Sequence, residues 1–234
     1  MEKLYEDKAF VEKIYQYVKD HERELVEDLK SLVRIKSVRE EAEAGAPFGK
    51  GVRRALQAAA DLAASKGFEV EMHKDMYALA HGGEGDTEIG LFAHVDVVPE
   101  GNGWLGDPYD PIERDGVIIG RGVQDDKQAV IQGLYMMMAI RDLGLPFHSK
   151  TLLFIGSNEE NGMADVEDYA HNFKEPDCSF VSDNFFPVCK CEKNIASFSA
   201  KSKHRFEMIE DIKAGIAQNV VIDRATATVR ADAA

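Results

Sequence analysis

The stretch Ile89-Gly90-Leu91-Phe92-Ala93-His94-Val95-Asp96-Val97-Val98-Pro99 decides how this chain is read. Its apolar run, Ile89 to Ala93, has the length and composition of a buried strand. The run closes on a histidine and an aspartate two residues apart, and Pro99 and Gly101 stop it. Strand residues two apart share a face, so His94 and Asp96 are expected to leave the sheet edge together. An imidazole held by a carboxylate is the usual arrangement of a metal-ligating histidine. Taken alone, two such residues are more commonly a solvated strand end.

The same event recurs along the chain. The apolar strand Thr151–Ile155 runs into Gly156-Ser157-Asn158-Glu159-Glu160, and Cys178–Val181 delivers Ser182-Asp183-Asn184. A further acidic pair, Asp125-Asp126, stands where a loop meets the helix Gln128–Leu143. Open α/β sheets place their sites outside the carboxyl ends of their strands, so these groups can converge from distant positions. One histidine and several carboxylates, with no cysteine among them, form a nitrogen/oxygen donor set. That set suits Zn²⁺, with Mn²⁺ or Co²⁺ as alternatives. Adjacent carboxylates such as Glu159 and Glu160 can diverge, one toward a cation and one toward a proton on water.

The surrounding pattern is that of a three-layer α/β/α domain. Apolar residues at three- and four-residue intervals predict helix from Tyr5 to Val33, with a permitted break at an exposed His21. A second helix is expected from Gly49 to Lys66, ended by Gly67. Strands are expected over Phe68–His73, Tyr77–His81 and Glu88–Val98, and a last helix over Asp165–Phe173. The segment Gly101–Ile118 reads as a functional loop, and Met136-Met137-Met138 as core.

Composition narrows the partners. The 234 residues carry 28 basic and 42 acidic side chains, a net charge of −14, which speaks against nucleic acid or an anionic membrane. No apolar run approaches the ~20 residues of a membrane span, and the first residues lack the apolar region of a secretory signal. Cys178, Cys189 and Cys191 form no disulfide framework; they are expected to be buried strand cysteines in a reducing cytoplasm. His148, His171 and His204 read as surface or packing residues, and His81 nearly so.

In order, His94-Val95-Asp96-Val97-Val98-Pro99, Gly120-Arg121-Gly122-Val123-Gln124-Asp125-Asp126-Lys127, Glu159-Glu160 and Ser182-Asp183 resemble the dinuclear-zinc exopeptidase and deacylase family. That family includes peptidase V, carnosinases, aminoacylase, acetylornithine deacetylase and succinyl-diaminopimelate desuccinylase. Gly45-Ala46-Pro47-Phe48-Gly49, Gly101-Asn102-Gly103-Trp104, Phe185-Phe186-Pro187-Val188 and Glu192-Lys193 resemble its peptidase V-like dipeptidase branch. The resemblance implies that His94 and Asp183 hold one metal, Asp125 bridges, and Glu160 binds a second. It implies Glu159 as general base, Asp96 as the residue orienting His94, and Asp126 and Lys127 as supports of the turn presenting Asp125. The implied substrate is a short peptide, with N-acyl amino acids as the alternative.

Departures are Gln128 and Asn194 where the family has glycine, Ile222 where it has proline, and above all length. Family members are about twice as long, insert a lid or dimerisation domain, and then return to the catalytic domain to supply a late metal-binding histidine. Residues 1–193 are therefore expected to be the metal-binding portion of an incomplete catalytic domain, and 194–234 the start of the lid. One well-held ion, a weak second site and little activity follow. A catalytically dead fragment that self-associates through the lid stub is the non-enzymatic alternative.

Overall fold

The computed structural model describes residues 7–145, 147–184, 189–191, 196, 198–204, 206–215 and 221–230. Tyr5, Pro146, Phe185–Val188, Glu192–Asn194 and residues 216–220 lie outside them. The described chain divides into two compact units. The first comprises Met1–Val98 with Trp104–Asn184, and the second Pro99–Gly103 with Phe185–Ala234.

In the first unit, α1 (Lys8–Val33) starts at Asp7, whose carboxylate accepts the amides of Ala9 and Phe10 at 2.9 and 3.3 Å, satisfying two otherwise orphaned donors. The helix runs unbroken through His21. That ring is half-buried rather than exposed, stacks on Tyr17 at 4.1 Å and bonds its carbonyl oxygen through Nδ1 at 2.8 Å. Helix α2 (Lys50–Ser65) buries Ala55, Ala59, Ala60 and Ala63, small residues that allow close packing on a sheet.

Strands β1 (Glu69–His73), β2 (Tyr77–Gly82), β3 (Thr87–His94), β6 (Ser149–Gly156) and β7 (Cys178–Val181) form one sheet in the order β1-β2-β6-β3-β7. β1, β2 and β6 pair antiparallel, whereas β6, β3 and β7 run parallel. Between β3 and β6 come a short hairpin, β4 (Ile112–Arg114) and β5 (Val117–Ile119), and helix α3 (Gln128–Asp142). α4 (Ala164–Asn172) follows β6. Leu91, Leu153 and Ile155 pack on one face with residues of α1, α2 and α3. Tyr77, Leu79, Leu152 and Phe154 pack on the other with Tyr169 of α4. The layers are α/β/α.

Three expectations need correction. The segment Gly101–Ile118 is not all loop, because it holds β4 and the start of β5. All three cysteines are exposed rather than buried; Cys178 opens β7, which lies at the end of the sheet order. Met137 and Met138 are core, but Met136 is 40% exposed. In the second unit, β8 (Ile209–Ala214) and β9 (Ala225–Val229) pair antiparallel. Among the described residues no helix is long and apolar enough to cross a membrane.

Candidate metal centre

The parallel pairing of β3 with β6 and β7 brings three carboxyl ends together. His94 pairs with Gly156 at the last rung of β3 and β6, and Val95 still donates to the Gly156 carbonyl at 2.9 Å. Gly156 is required here, because a Cβ would stand 2.8 Å from the Asp165 carboxylate. That carboxylate, fully buried, accepts the amides of Ser157 and Asn158 at 2.6 and 2.9 Å and fixes the path into Glu159 and Glu160.

Strand β3 ends at His94, so Asp96 does not share a strand face with it, as the alternation suggested. The chain turns instead, and the Asp96 carbonyl accepts the His94 Nδ1 proton at 2.9 Å, with carboxylate Oδ1 at 3.3 Å. A carbonyl can only accept, so Nδ1 carries a proton, and Nε2 is the nitrogen left for a cation. Nε2 is buried and makes no hydrogen bond. It faces Asp125 Oδ1 at 3.4 Å, Asp183 Oδ2 at 3.4 Å and Glu159 Oε2 at 3.7 Å.

Three carboxylates around one nitrogen call for positive charge there: a proton on Nε2 in the metal-free chain, or a cation in its place. Burial alone would lower the His94 pKa, but the carboxylates of Asp125, Asp183 and Asp96 outweigh it and hold the imidazole well above its usual range. In the same way the His94 contact holds Asp125 low, against the effect of burial. Burial pushes Glu159 up and Glu160 up to about 7, helped by neighbouring negative charge. Single oxygen or nitrogen atoms of His94, Glu159 and Asp183 lie within 4.8 Å of one another, a group able to hold a metal ion. The orphaned Nε2 and the nitrogen/oxygen chemistry of the set fit a divalent cation of the zinc, manganese or cobalt type.

Further residues complete the centre. Both oxygens of the Asp96 carboxylate accept backbone amides, from Glu159 and Glu160, each at 3.2 Å. Asp126 is fully buried, and its carboxylate takes the His94 amide at 3.4 Å; burial pushes its pKa up to about 8. Asp125 and Asp126 are joined by a cis peptide bond. Lys127 is also fully buried and donates to the carbonyls of Leu32 and Ile35 at 3.0 and 2.7 Å, at the end of α1. Asp165 and the double use of Asp96 went unread in the sequence; Asp165 two residues after Met163 at the start of a helix was the available signal. His148, His171 and His204 are exposed and outside this group.

A sheet that gathers one imidazole and several carboxylates at the ends of its parallel strands defines an α/β protein with a group able to hold a metal ion. The sequence pattern of Peptidase family M20/M25/M40 matches residues 90–218, and the chain belongs to that family. It is 34% identical over 214 residues to the Bacillus subtilis (strain 168) protein named "Putative dipeptidase YtjP", covering 88% of this chain and 46% of that protein. A Staphylococcus haemolyticus protein named "Putative dipeptidase SH1171" is 32% identical over 222 residues, covering 91% and 47%. Among solved structures, human carnosine dipeptidase 1 superposes with a TM-score of 0.62 at 28% identity, over 75% of this chain and 41% of that one. The Saccharomyces cerevisiae dipeptidase Dug1p shares the fold, with a TM-score of 0.64 at 19% identity, over 74% and 41%. The chain spans about half the length of the curated relatives it matches.

Proposed function

We propose that this chain is the metal-binding portion of a dipeptidase, with short peptides as substrates. The observation that carries the reading is the buried Nε2 of His94, which makes no hydrogen bond and is faced by three carboxylates while Nδ1 is held by the Asp96 carbonyl. His94, Asp125 and Asp183 would hold one divalent cation, and Glu160, beside Asp125, would serve a weaker second site. Bound there, such a cation lowers the pKa of water and polarises a carbonyl.

The chain's own groups supply the rest. Glu159 is half-buried and its pKa is raised, which suits a base that takes a proton from water and returns it to a leaving amine. Asp96 fixes the His94 tautomer through its carbonyl and the Glu159–Glu160 backbone through its carboxylate. Asp126 holds the His94 backbone. The names of the curated relatives favour dipeptides over N-acyl amino acids. Zinc as the resident ion, cytoplasmic residence, and residues 194–234 as the start of a self-associating lid belong to the same reading; the exposed, free thiols agree with a reducing compartment.

The test is turnover of a dipeptide panel and an N-acyl amino acid panel with added Zn²⁺, Mn²⁺ or Co²⁺, by the chain and by Glu159→Gln. Weak hydrolysis confined to dipeptides, and lost in the variant, is expected. Turnover retained in Glu159→Gln would remove Glu159 from the role, and turnover of N-acyl amino acids alone would overturn the substrate class.

A further inference from the structure

The stretch Gly45–Gly49 takes no part in the chemistry proposed above, although it carries part of the dipeptidase-like resemblance. It lies in the segment 35–49, which folds back on itself. Glu40 donates its amide to the Phe48 carbonyl at 3.1 Å, and Glu43 and Ala46 exchange backbone hydrogen bonds at 3.1 and 2.9 Å. This closure buries Phe48 beneath the guanidinium of Arg39, which stands 5.7 Å from the ring centroid. Arg39 Nη1 then donates to the carbonyl of Asn161 at 3.0 Å. Asn161 directly follows Glu160.

The beginning of the same segment is stitched to the other half of the centre. Ser37 is fully buried; its hydroxyl donates to the Val95 carbonyl at 2.6 Å, and its own carbonyl accepts the Val97 amide at 3.1 Å. Those contacts flank Asp96. One loop therefore touches both the turn after His94 and the turn after the glutamate pair.

We propose that Arg39, held over Phe48, is a positioning residue for the Glu159–Glu160 turn, and that segment 35–49 clamps the two acid-bearing strand ends together. The bracing stands on contacts among this chain's own residues. Only its consequence for cation binding rests on the function proposed above.

The test is amide hydrogen exchange in the metal-free chain at Glu159 and Glu160, whose amides are bonded to Asp96. Arg39→Met is expected to speed exchange at these two amides about five- to tenfold, while the β3 amides keep their rates. Arg39→Lys, which keeps the donor, restores part of the protection. Phe48→Leu, which keeps Arg39 but removes the ring beneath it, gives a smaller acceleration at the same two amides. Unchanged rates at Glu159 and Glu160 would overturn the bracing. Equal acceleration across the whole sheet with no rescue by lysine would do the same, because it marks general loosening. Zn²⁺ titration of the same proteins reads the consequence: several-fold weaker binding by Arg39→Met is expected, and equal affinity despite faster exchange would overturn the positioning role. A wild-type chain that binds no Zn²⁺ would sink the metal reading and leave the exchange rates to decide the clamp.

Discussion

At the scale of single residues, Asp96 links distant groups, since its carboxylate holds the Glu159 and Glu160 amides, 63 and 64 positions along the chain, while its carbonyl holds His94. Substituting Asp96→Asn leaves the carbonyl in place but puts a donor where acceptors are needed. Zn²⁺ affinity measured by calorimetry is expected to fall about 10- to 100-fold, the usual cost of losing a partner behind the ligands. Affinity within twofold of wild type would contradict this. The proton balance of the same site predicts a pH dependence. Glu160 is pushed up to about 7 and Asp126 up to about 8, both chiefly by burial. Between pH 5 and 7 the folded chain keeps protons that the unfolded chain, with ordinary carboxyls, has released. The unfolded state then binds fewer protons, so the stability of the metal-free chain falls as pH rises through this window. Thermal melts should show a lower midpoint at pH 7 than at pH 5, with added Zn²⁺ stabilising more at pH 7. A midpoint that rises with pH would contradict the raised carboxyls. Asp96 and the Glu159–Glu160 pair were legible because each follows an apolar run that announces a strand end, and Asp125–Asp126 because the pair stands where a loop meets a helix. The carbonyl of Asp96 was not, since backbone acceptors leave no mark in a pattern of side chains.

Elements carry the site through their ends. The turn 122–127 is fixed by the Lys127 side chain on the carbonyls of Leu32, in α1, and Ile35, just past it, and by the Lys127 amide on the Gly122 carbonyl at 3.1 Å. Gly122 has φ +84°, and a Cβ there would stand 2.9 Å from Val97 Cγ1 and 3.2 Å from Lys127 Cδ. Gly122→Ala should cost about 1–3 kcal/mol of folding stability from the left-handed backbone and the crowding together. Urea unfolding followed by circular dichroism measures it, and a loss near zero would mean the turn relaxes. Most elements were readable from periodicity. The β4–β5 hairpin was passed over because its strands are only three residues long. Its turn residues, Asp115 at φ 52° and Gly116 at φ 77°, are nevertheless the aspartate–glycine pair that favours a tight hairpin. The break allowed at His21 does not occur, because stacking on Tyr17 compensates a weak helix former.

For the molecule as a whole, the α/β/α layering followed from alternating helix and strand signals. Strand order did not, because it depends on pairing between distant segments. That is why Cys178 was assigned to the interior while β7 stands last in the sheet order. The parallel set β6-β3-β7 turns scattered acids into one centre, and the central claim is that this centre holds a divalent cation on His94. Equilibrium dialysis of the purified chain against Zn²⁺, with metal analysis of the wild type and His94→Ala, tests it most directly. The account predicts about one tightly held ion per chain and at least about a hundredfold weaker retention in the variant. A wild-type chain that retains no ion, or a His94→Ala chain that holds it equally well, would contradict the account.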